Sequence, residues 1–142
     1  KNNHRVVTFH DSCNVARGSN MGDIKDGQFI LPREVIKAAC NNFIDMPKNT
    51  IKSSTFCCGG GGGLLTDDLI DLRIKGAKPR MHALKKTEEE SGVNTLAAIC
   101  AICKSQFSKV LPNYDFDPYM VVSVHQLVSD AIVLKDTKDQ KD

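Results

Sequence analysis

The six cysteines are the residues of this chain whose types and spacing could carry out chemistry. Two of them are adjacent (Cys57 and Cys58), and two are separated by two residues (Cys100 and Cys103). Clustered thiolates of this kind suit soft metals or redox chemistry better than structural disulfides. Six cysteines in 142 residues is also well below the density of a small disulfide scaffold. We therefore expect metal or cluster ligation in a reducing, cytoplasmic compartment.

The cysteine pattern leaves the identity of the metal open among zinc, copper(I) and an iron–sulfur cluster. Four thiolates complete a tetrahedral zinc site. An ordinary cubane cluster also takes four, usually from a more compact spacing than this chain has. A metal-free dithiol oxidoreductase that uses Cys100 and Cys103 is a weaker alternative. The intervening Ala101 and Ile102 lack the aromatic and Gly-Pro context of thioredoxin-type motifs.

The elements that must position these cysteines follow an α/β pattern. β-rich segments alternate with helical ones, which predicts a single α/β domain with a mainly parallel four-stranded sheet flanked by helices. The predicted strands are Arg5–Phe9, Thr50–Phe56, Asn94–Ile99 and Met120–Val124. The predicted helices are Pro32–Cys40, Asp67–Lys75, Pro79–Ser91, a short helix that opens at Cys103, and His125–Leu134.

In a parallel sheet, ligand sites lie beyond the carboxyl ends of the strands. Cys13 follows the first predicted strand, the Cys57-Cys58 pair follows the second, and Cys100 and Cys103 follow the third. These five cysteines are therefore expected to meet at one edge of the sheet. The sixth, Cys40, ends a predicted helix and is interpreted as a small core residue.

Several neighbouring residues have both a functional and a structural interpretation. His10 could donate a proton to a leaving thiolate or a hydrogen bond to the metal site, or it could only cap the strand end. Asp11 is interpreted as a turn former. Arg33 could face an anionic partner or offset a negative cluster, or it could be a solvated surface residue.

The five-glycine run at 59–63 lacks the Lys-Ser/Thr of a phosphate-binding loop. We expect the backbone N–H groups of Gly59, Gly60 and Gly61 to approach the sulfur atoms of the site, and the absence of side chains to leave room for a bulky substrate. The alternative is a merely flexible loop.

Composition excludes several other classes of function. With 19 Lys+Arg against 17 Asp+Glu, the net charge of +2 does not indicate nucleic-acid binding. The longest apolar runs are far shorter than the roughly 18–20 residues of a membrane span, and no signal peptide is recognised. We expect residues 1–134 to form the domain and 135–142 a disordered charged tail. The missing initial Met indicates a fragment of a longer subunit.

The spacing of Cys13, Cys57-Cys58-Gly59 with its glycine run, and Cys100-x-x-Cys103 resembles the cysteine-rich CCG domain of heterodisulfide reductase B and D subunits. His10-Asp11-x-Cys13 and Pro32-Arg33-Glu34 resemble the family's sequence near its first cysteine. The segment 8–17 is most similar to one branch, the heterodisulfide-reductase-like K subunit of the membrane redox complex associated with dissimilatory sulfite reduction.

This resemblance implies a noncubane [4Fe-4S] cluster ligated by the five matching cysteines, with Cys57 or Cys58 bridging two irons. It implies reduction or formation of a disulfide or trisulfide on a small sulfur-carrier protein. The other implied partners are the subunits of a membrane-bound redox complex, which place the domain peripherally on the cytoplasmic face. No ferredoxin-type cysteine run is present to receive electrons. A non-catalytic zinc- or cluster-binding docking module is the alternative.

Overall fold

The computed structural model describes residues 2–19 and 24–133. Three strands form a parallel sheet in the order β1-β2-β3, with β2 at the centre. Their bounds are β1 Val7–His10, β2 Thr95–Ala98 and β3 Val121–Ser123. The α/β class and the parallel sheet are confirmed, but the described sheet has three strands rather than the predicted four.

Four α-helices cover the two faces of this sheet. Their bounds are α1 Gly27–Ala39, α2 Ile70–Ser91, α3 Ala101–Val110 and α4 Val124–Ala131. Side chains alternate between the faces of a strand, so Val7 and Phe9 pack with α1 and α4. Leu96 and Ala98 pack instead with α2 and α3. The sheet is therefore buried between two layers of helices, and its carboxyl edge remains available for a site.

The predicted strand Thr50–Phe56 is wrong, because this segment forms two short 3-10 turns, Lys48–Thr50 and Lys52–Ser54, followed by irregular chain. Its backbone is hydrogen-bonded to buried side chains instead of to a neighbouring strand. The Lys52 N–H donates to the Asp11 carboxylate at 2.7 Å, and the carbonyl of Thr50 accepts from Arg80. Lys52 also adopts a positive φ of 54°. These specific contacts outweigh the β propensity of the segment.

Helix α2 replaces the two predicted helices with one. A 3-10 turn, Asp67–Leu69, leads into it, and the helix then continues through Pro79. Its buried stripe runs without interruption on both sides of the proline, so packing outweighs the loss of one hydrogen bond at Pro79. The buried residues are Arg73, Ala77, Arg80, Met81, Ala83, Leu84 and Thr87. The helix ends at Ser91, as predicted, and Gly92 follows it with a φ of 66°.

The other helices begin earlier than predicted. Helix α1 begins at Gly27, so Pro32 lies inside it instead of at its first position. Helix α3 begins at Ala101, two residues before Cys103, and α4 begins at Val124. The predicted end of the last helix at Leu134 is wrong, because α4 ends at Ala131 and the chain is extended at Ile132. Leu134 itself and the predicted tail lie outside the described residues. Within the described ranges, no helix combines the length and apolar character that crossing a bilayer requires.

Candidate metal centre

The carboxyl ends of β1 and β2 place three of the cysteines. The two strands are neighbours, with His10 paired to Ala98 at their ends. Cys13 lies in the turn that follows β1. Cys100 is the N-cap residue of α3, and Cys103 lies in the first turn of that helix. These positions beyond the strand ends are those that the sequence predicts.

The Cys57-Cys58 pair reaches the site from irregular chain rather than from a strand. Gly59, which follows it, has a φ of 89° and lies directly against α2 and α3. A Cβ at Gly59 would stand 2.2 Å from the carbonyl oxygen of Arg73 and 2.8 Å from Nε2 of Gln106. Only glycine fits this close approach. The packing of one glycine backbone on two helices thus fixes the position of both cysteines.

Cys58 and Cys103 form the buried part of the site together with His10. Cys58 is 4% exposed and Cys103 is 3% exposed. Their sulfur atoms and a ring nitrogen of His10 all lie within 4.8 Å of one another. Among the residues that the structure describes, this is the one group of three such ligand atoms that meets this distance. Cys57 is exposed and Cys13 and Cys100 are half-buried, so the site also has a side that faces solvent.

The thiols of the CC pair interact with each other and with Cys103. Contact with the Cys58 thiol, together with burial, raises the pKa of Cys57 well above its usual value. Contact with the Cys103 thiol is the main cause that raises the pKa of Cys58 to about 12; Cys57 acts in the opposite direction, and burial adds to the rise. Without a metal, both groups are therefore neutral thiols at pH 7. Since thiolates are the metal ligands, metal binding must displace their protons.

Backbone N–H groups surround the same sulfur atoms. Gly59 N–H donates to Sγ of Cys57 at 3.2 Å, and Gly60 N–H donates to Sγ of Cys58 at 3.4 Å. At Cys100, burial raises the thiol pKa, but the backbone N–H of Cys103 and the nearby Ser12 side chain outweigh it and leave the pKa below its usual value. These donors favour negative charge on sulfur. They outweigh burial at Cys100, whereas at Cys57 and Cys58 the neighbouring thiols and burial outweigh them.

His10 lies at the buried end of the site with its polar atoms unpaired. It is 1% exposed, and within the described chain neither Nδ1 nor Nε2 has a hydrogen-bond partner. Its ring packs edge-on against Phe107, with 4.8 Å between centroids. Burial and the charge of Arg80 lower the pKa of His10 well below its usual value, so the ring is neutral. Because a buried polar group without a partner is costly, this ring indicates that the site is completed by a bound group.

An ion-pair cluster joins the two loops that carry Cys13 and Cys57. The Arg33 guanidinium donates two hydrogen bonds to Asp11, each 2.7 Å long, and also pairs with Asp45. Asp11 in turn accepts from Lys52 N–H, and its backbone carbonyl accepts from Thr55 Oγ1 at 2.8 Å. Asp11 and Arg33 are both buried. The interpretation of Arg33 as a surface residue is therefore wrong, and Asp11 does more than form a turn.

Three buried polar residues of α2 and α3 were not identified from the sequence. Arg73 donates from Nε to the side-chain oxygen of Gln106 at 2.8 Å, and this pair contacts Gly59. Arg80, two helical turns further along α2, is completely buried. The spacing of seven residues that places the two arginines on one helix face is the only sequence signal for them, and it is common among surface residues.

The donor set of this site fits a thiophilic metal or an iron–sulfur cluster. Four sulfurs, those of Cys57, Cys58, Cys100 and Cys103, interact with their neighbours in the set, and backbone N–H groups already donate to three of them. The unpaired ring of His10 borders the same space. Cys13 lies beside Ser12, which approaches Cys100, but its sulfur lies outside the group of ligand atoms within 4.8 Å.

Comparison with known proteins identifies relatives of this chain. The CCG cysteine-rich domain matches residues 7–108. The chain is 44% identical over 134 residues to the Hdr-like menaquinol oxidoreductase iron-sulfur subunit 2 of Archaeoglobus fulgidus, and 41% identical over 134 residues to the Hdr-like menaquinol oxidoreductase iron-sulfur subunit of Archaeoglobus profundus. These matches cover 94% of this chain and 23% of each relative. No match to a solved structure was found.

The matches confirm the resemblance that the five cysteines indicate. The matched region contains all five of them, together with His10 and the glycine run. The chain spans about a quarter of the length of the curated relatives it matches. Both relatives are named as iron–sulfur subunits of oxidoreductases. The chain belongs to the family of CCG cysteine-rich domains.

Proposed function

We propose that this domain reduces or forms a disulfide or trisulfide of a thiol substrate at a noncubane [4Fe-4S] cluster. Cys13, Cys57, Cys58, Cys100 and Cys103 would hold the cluster. The observation that carries this proposal is the convergence of cysteine sulfurs from two separate segments, 57–58 and 100–103, beside the buried His10 of a third segment, whose ring nitrogens have no partner among the described residues. When bound, such a cluster supplies electrons one at a time to a substrate sulfur bond.

The chain's own residues divide the site into a protected side and an open side. Cys58 and Cys103 lie beneath the surface, where His10 and Phe107 exclude water. Cys57 is exposed, and the glycines that follow it carry no side chains; a Cβ at Gly62 would meet nothing within 4 Å. A bulky substrate such as a protein-borne disulfide therefore has access on the Cys57 side. The N–H groups of Gly59 and Gly60 stabilise negative charge on sulfur, as proposed for these glycines and for Gly61.

The proposed reaction requires a partner that exchanges electrons. Reduction of one disulfide consumes two electrons and two protons and yields two thiols. The relatives are named menaquinol oxidoreductase subunits, so we propose a quinol-linked donor or acceptor reached through the clusters of other subunits. The proposed substrate is a small sulfur-carrier protein of sulfite or sulfur metabolism. The domain would then lie on the cytoplasmic face of the membrane, held there by the other subunits of its complex.

A structural zinc site is the second candidate. His10, Cys58 and Cys103 already place one nitrogen and two sulfur ligands within 4.8 Å of one another, and Cys100 could complete a tetrahedral set. A closed site of this kind would make the domain a docking module of a larger redox subunit. It would leave the exposed Cys57 without a role.

Metal analysis of the full 142-residue chain, purified without oxygen, distinguishes these functions. We expect about four iron and four sulfide ions per chain, as a single four-iron cluster requires. About one zinc without sulfide, the composition of a closed structural site, would contradict the redox proposal. Iron, acid-labile sulfide and zinc are measured on the same sample, so that mixtures are recognised.

His10→Phe tests the proposed role of the histidine, which is to donate a hydrogen bond or a proton to sulfur. In the metal-free protein, we expect the free energy of unfolding of the variant to be about 1 kcal/mol higher than that of the parent, because an unpaired buried polar group is replaced by an apolar ring. In the loaded protein, we expect faster loss of iron to a chelator, because one favourable contact with the site is removed. Thermal unfolding and chelator kinetics measure the two effects.

Phe107→Leu is the matched control, because it changes the packing of the same ring and keeps the imidazole. If His10→Phe and Phe107→Leu alter iron retention equally, His10 acts only through packing.

A further inference from the structure

We propose that Arg80 supplies a fixed positive charge, buried inside the fold, that balances the negative charge of the metal-bound thiolates and raises the reduction potential of the site. This inference rests on the proposed function, since it assigns Arg80 a role toward the same thiolates. Arg80 does not ligate the metal. It is a positioning residue, because it acts on the thiolates through its positive charge.

The first observation is that Arg80 is buried without an anion of its own. The residue is 0% exposed. The ion pairs formed by described residues, all within 4.0 Å, do not include it. Asp11 is a nearby carboxylate, but it is already held by Arg33 at 2.7 Å. A buried cation without an anion is strongly unfavourable unless something else compensates it.

The second observation is that the hydrogen bonds of Arg80 use only neutral acceptors. Nη2 donates to the carbonyl of Thr50 and to Thr55 Oγ1 at 3.0 Å, and Nη1 lies 2.9 Å from Sδ of Met46. Nε has no partner among the described residues, and the guanidinium lies over the ring of Phe56, 5.7 Å from its centroid. These contacts hold the group in place, but they do not neutralise its charge.

The third observation is where this charge lies. Phe56 directly precedes the CC pair, and Thr55, which accepts from Arg80, donates to the carbonyl of Asp11, the residue that follows His10. The charge of Arg80 acts on both His10 and Cys58. Burial lowers the pKa of Arg80 to about 10, so the group remains a cation at pH 7.

The proposed ligands supply the missing negative charge. Arg80 is in none of the ion pairs formed by the described residues. As metal-bound thiolates, Cys57 and Cys58 would provide the negative charge that Arg80 lacks. A nearby cation stabilises the more negative, reduced form of a redox centre more than the oxidised form. Removal of this charge should therefore lower the reduction potential.

Two substitutions at the same position separate charge from hydrogen bonding. Arg80→Lys keeps the positive charge and loses the planar guanidinium with its fixed N–H donors. Arg80→Gln keeps a hydrogen-bond donor and loses the charge. Each is prepared in the full chain without oxygen and titrated electrochemically with detection by electron paramagnetic resonance. At a fixed ambient potential, we expect the ratio of reduced to oxidised sites to fall at least tenfold in Arg80→Gln, or ~59 mV for a one-electron couple. In Arg80→Lys, it should remain within threefold of the parent.

A second readout does not depend on redox activity. The rate at which a chelator removes the metal should rise at least tenfold in Arg80→Gln and remain within threefold of the parent in Arg80→Lys. If the two variants lose metal and shift potential to the same extent, Arg80 is a structural support and the inference is wrong. If the parent contains zinc without sulfide, the proposed redox function fails, and zinc release from the same two variants then decides the role of Arg80.

Discussion

Replacing either Cys57 or Cys58 with alanine is expected to reduce the iron and sulfide content to less than a tenth of that of the parent. The reason is that a noncubane cluster with five thiolate ligands uses both members of the pair, so neither can be lost without disassembly. Cys57 is exposed, and its removal should change the stability of the metal-free protein by no more than about 0.5 kcal/mol. The loss of iron can therefore be separated from a loss of fold.

Cys40→Ala provides the matched control for this experiment. Cys40 is as buried as Cys58, but it packs in the other core, between α1 and the sheet. The variant should lose some stability and keep its full iron and sulfide content. A Cys57→Ala protein that retains a native complement of iron would exclude the five-thiolate cluster. Retention of one zinc would favour the structural site instead, because His10, Cys58, Cys100 and Cys103 remain to hold it.

Gly59→Ala is expected to destabilise the protein by about 2–5 kcal/mol and to abolish metal binding. The left-handed backbone contributes about 1–2 kcal/mol of this, and the new Cβ adds about 1–3 kcal/mol of overpacking. This Cβ would meet the Arg73 carbonyl at 2.2 Å, and a backbone atom that belongs to the first turn of α2 cannot move away easily. The CC pair would be displaced from Cys103. Denaturant unfolding and metal content measure the two consequences.

Gly62→Ala separates the steric effect from the backbone effect. Gly62 also has a positive φ, 73°, but a Cβ there meets nothing within 4 Å. The Gly62→Ala variant should lower the free energy of unfolding by only about 1–2 kcal/mol and leave the metal content unchanged. If Gly59→Ala and Gly62→Ala lose stability and metal to the same extent, backbone strain rather than contact with α2 accounts for the effect of Gly59→Ala.

The sequence predicts the parts of this site that follow from regular structure. Cys13 and Cys100 lie beyond the ends of β1 and β2 because alternating strands and helices predict a parallel sheet, and such a sheet gathers its strand ends at one edge. The buried position of Cys40 also follows from its helix. These inferences require only local patterns and general topology.

The remaining part depends on contacts between residues distant in sequence. The segment Thr50–Phe56 has the composition of a strand, but Asp11 and Arg80 bind its backbone in another conformation. Likewise, Pro79 indicates a break in α2 that tertiary packing prevents. Arg80 resembles any charged residue of a long helix until the structure shows it to be buried. No local pattern contains this information, because the partners lie 25 to 41 residues apart.

The absence of a strand before the CC pair also bears on how the site is filled. Strands β1, β2 and β3 are joined by backbone hydrogen bonds, whereas side chains hold residues 48–58 against the sheet. A segment attached in this way can open locally while the sheet remains folded. Local opening of this segment would let the folded domain admit the proposed cluster and then close over it. Assembly of the proposed centre would then follow folding, in contrast to small zinc domains that fold only when metal binds.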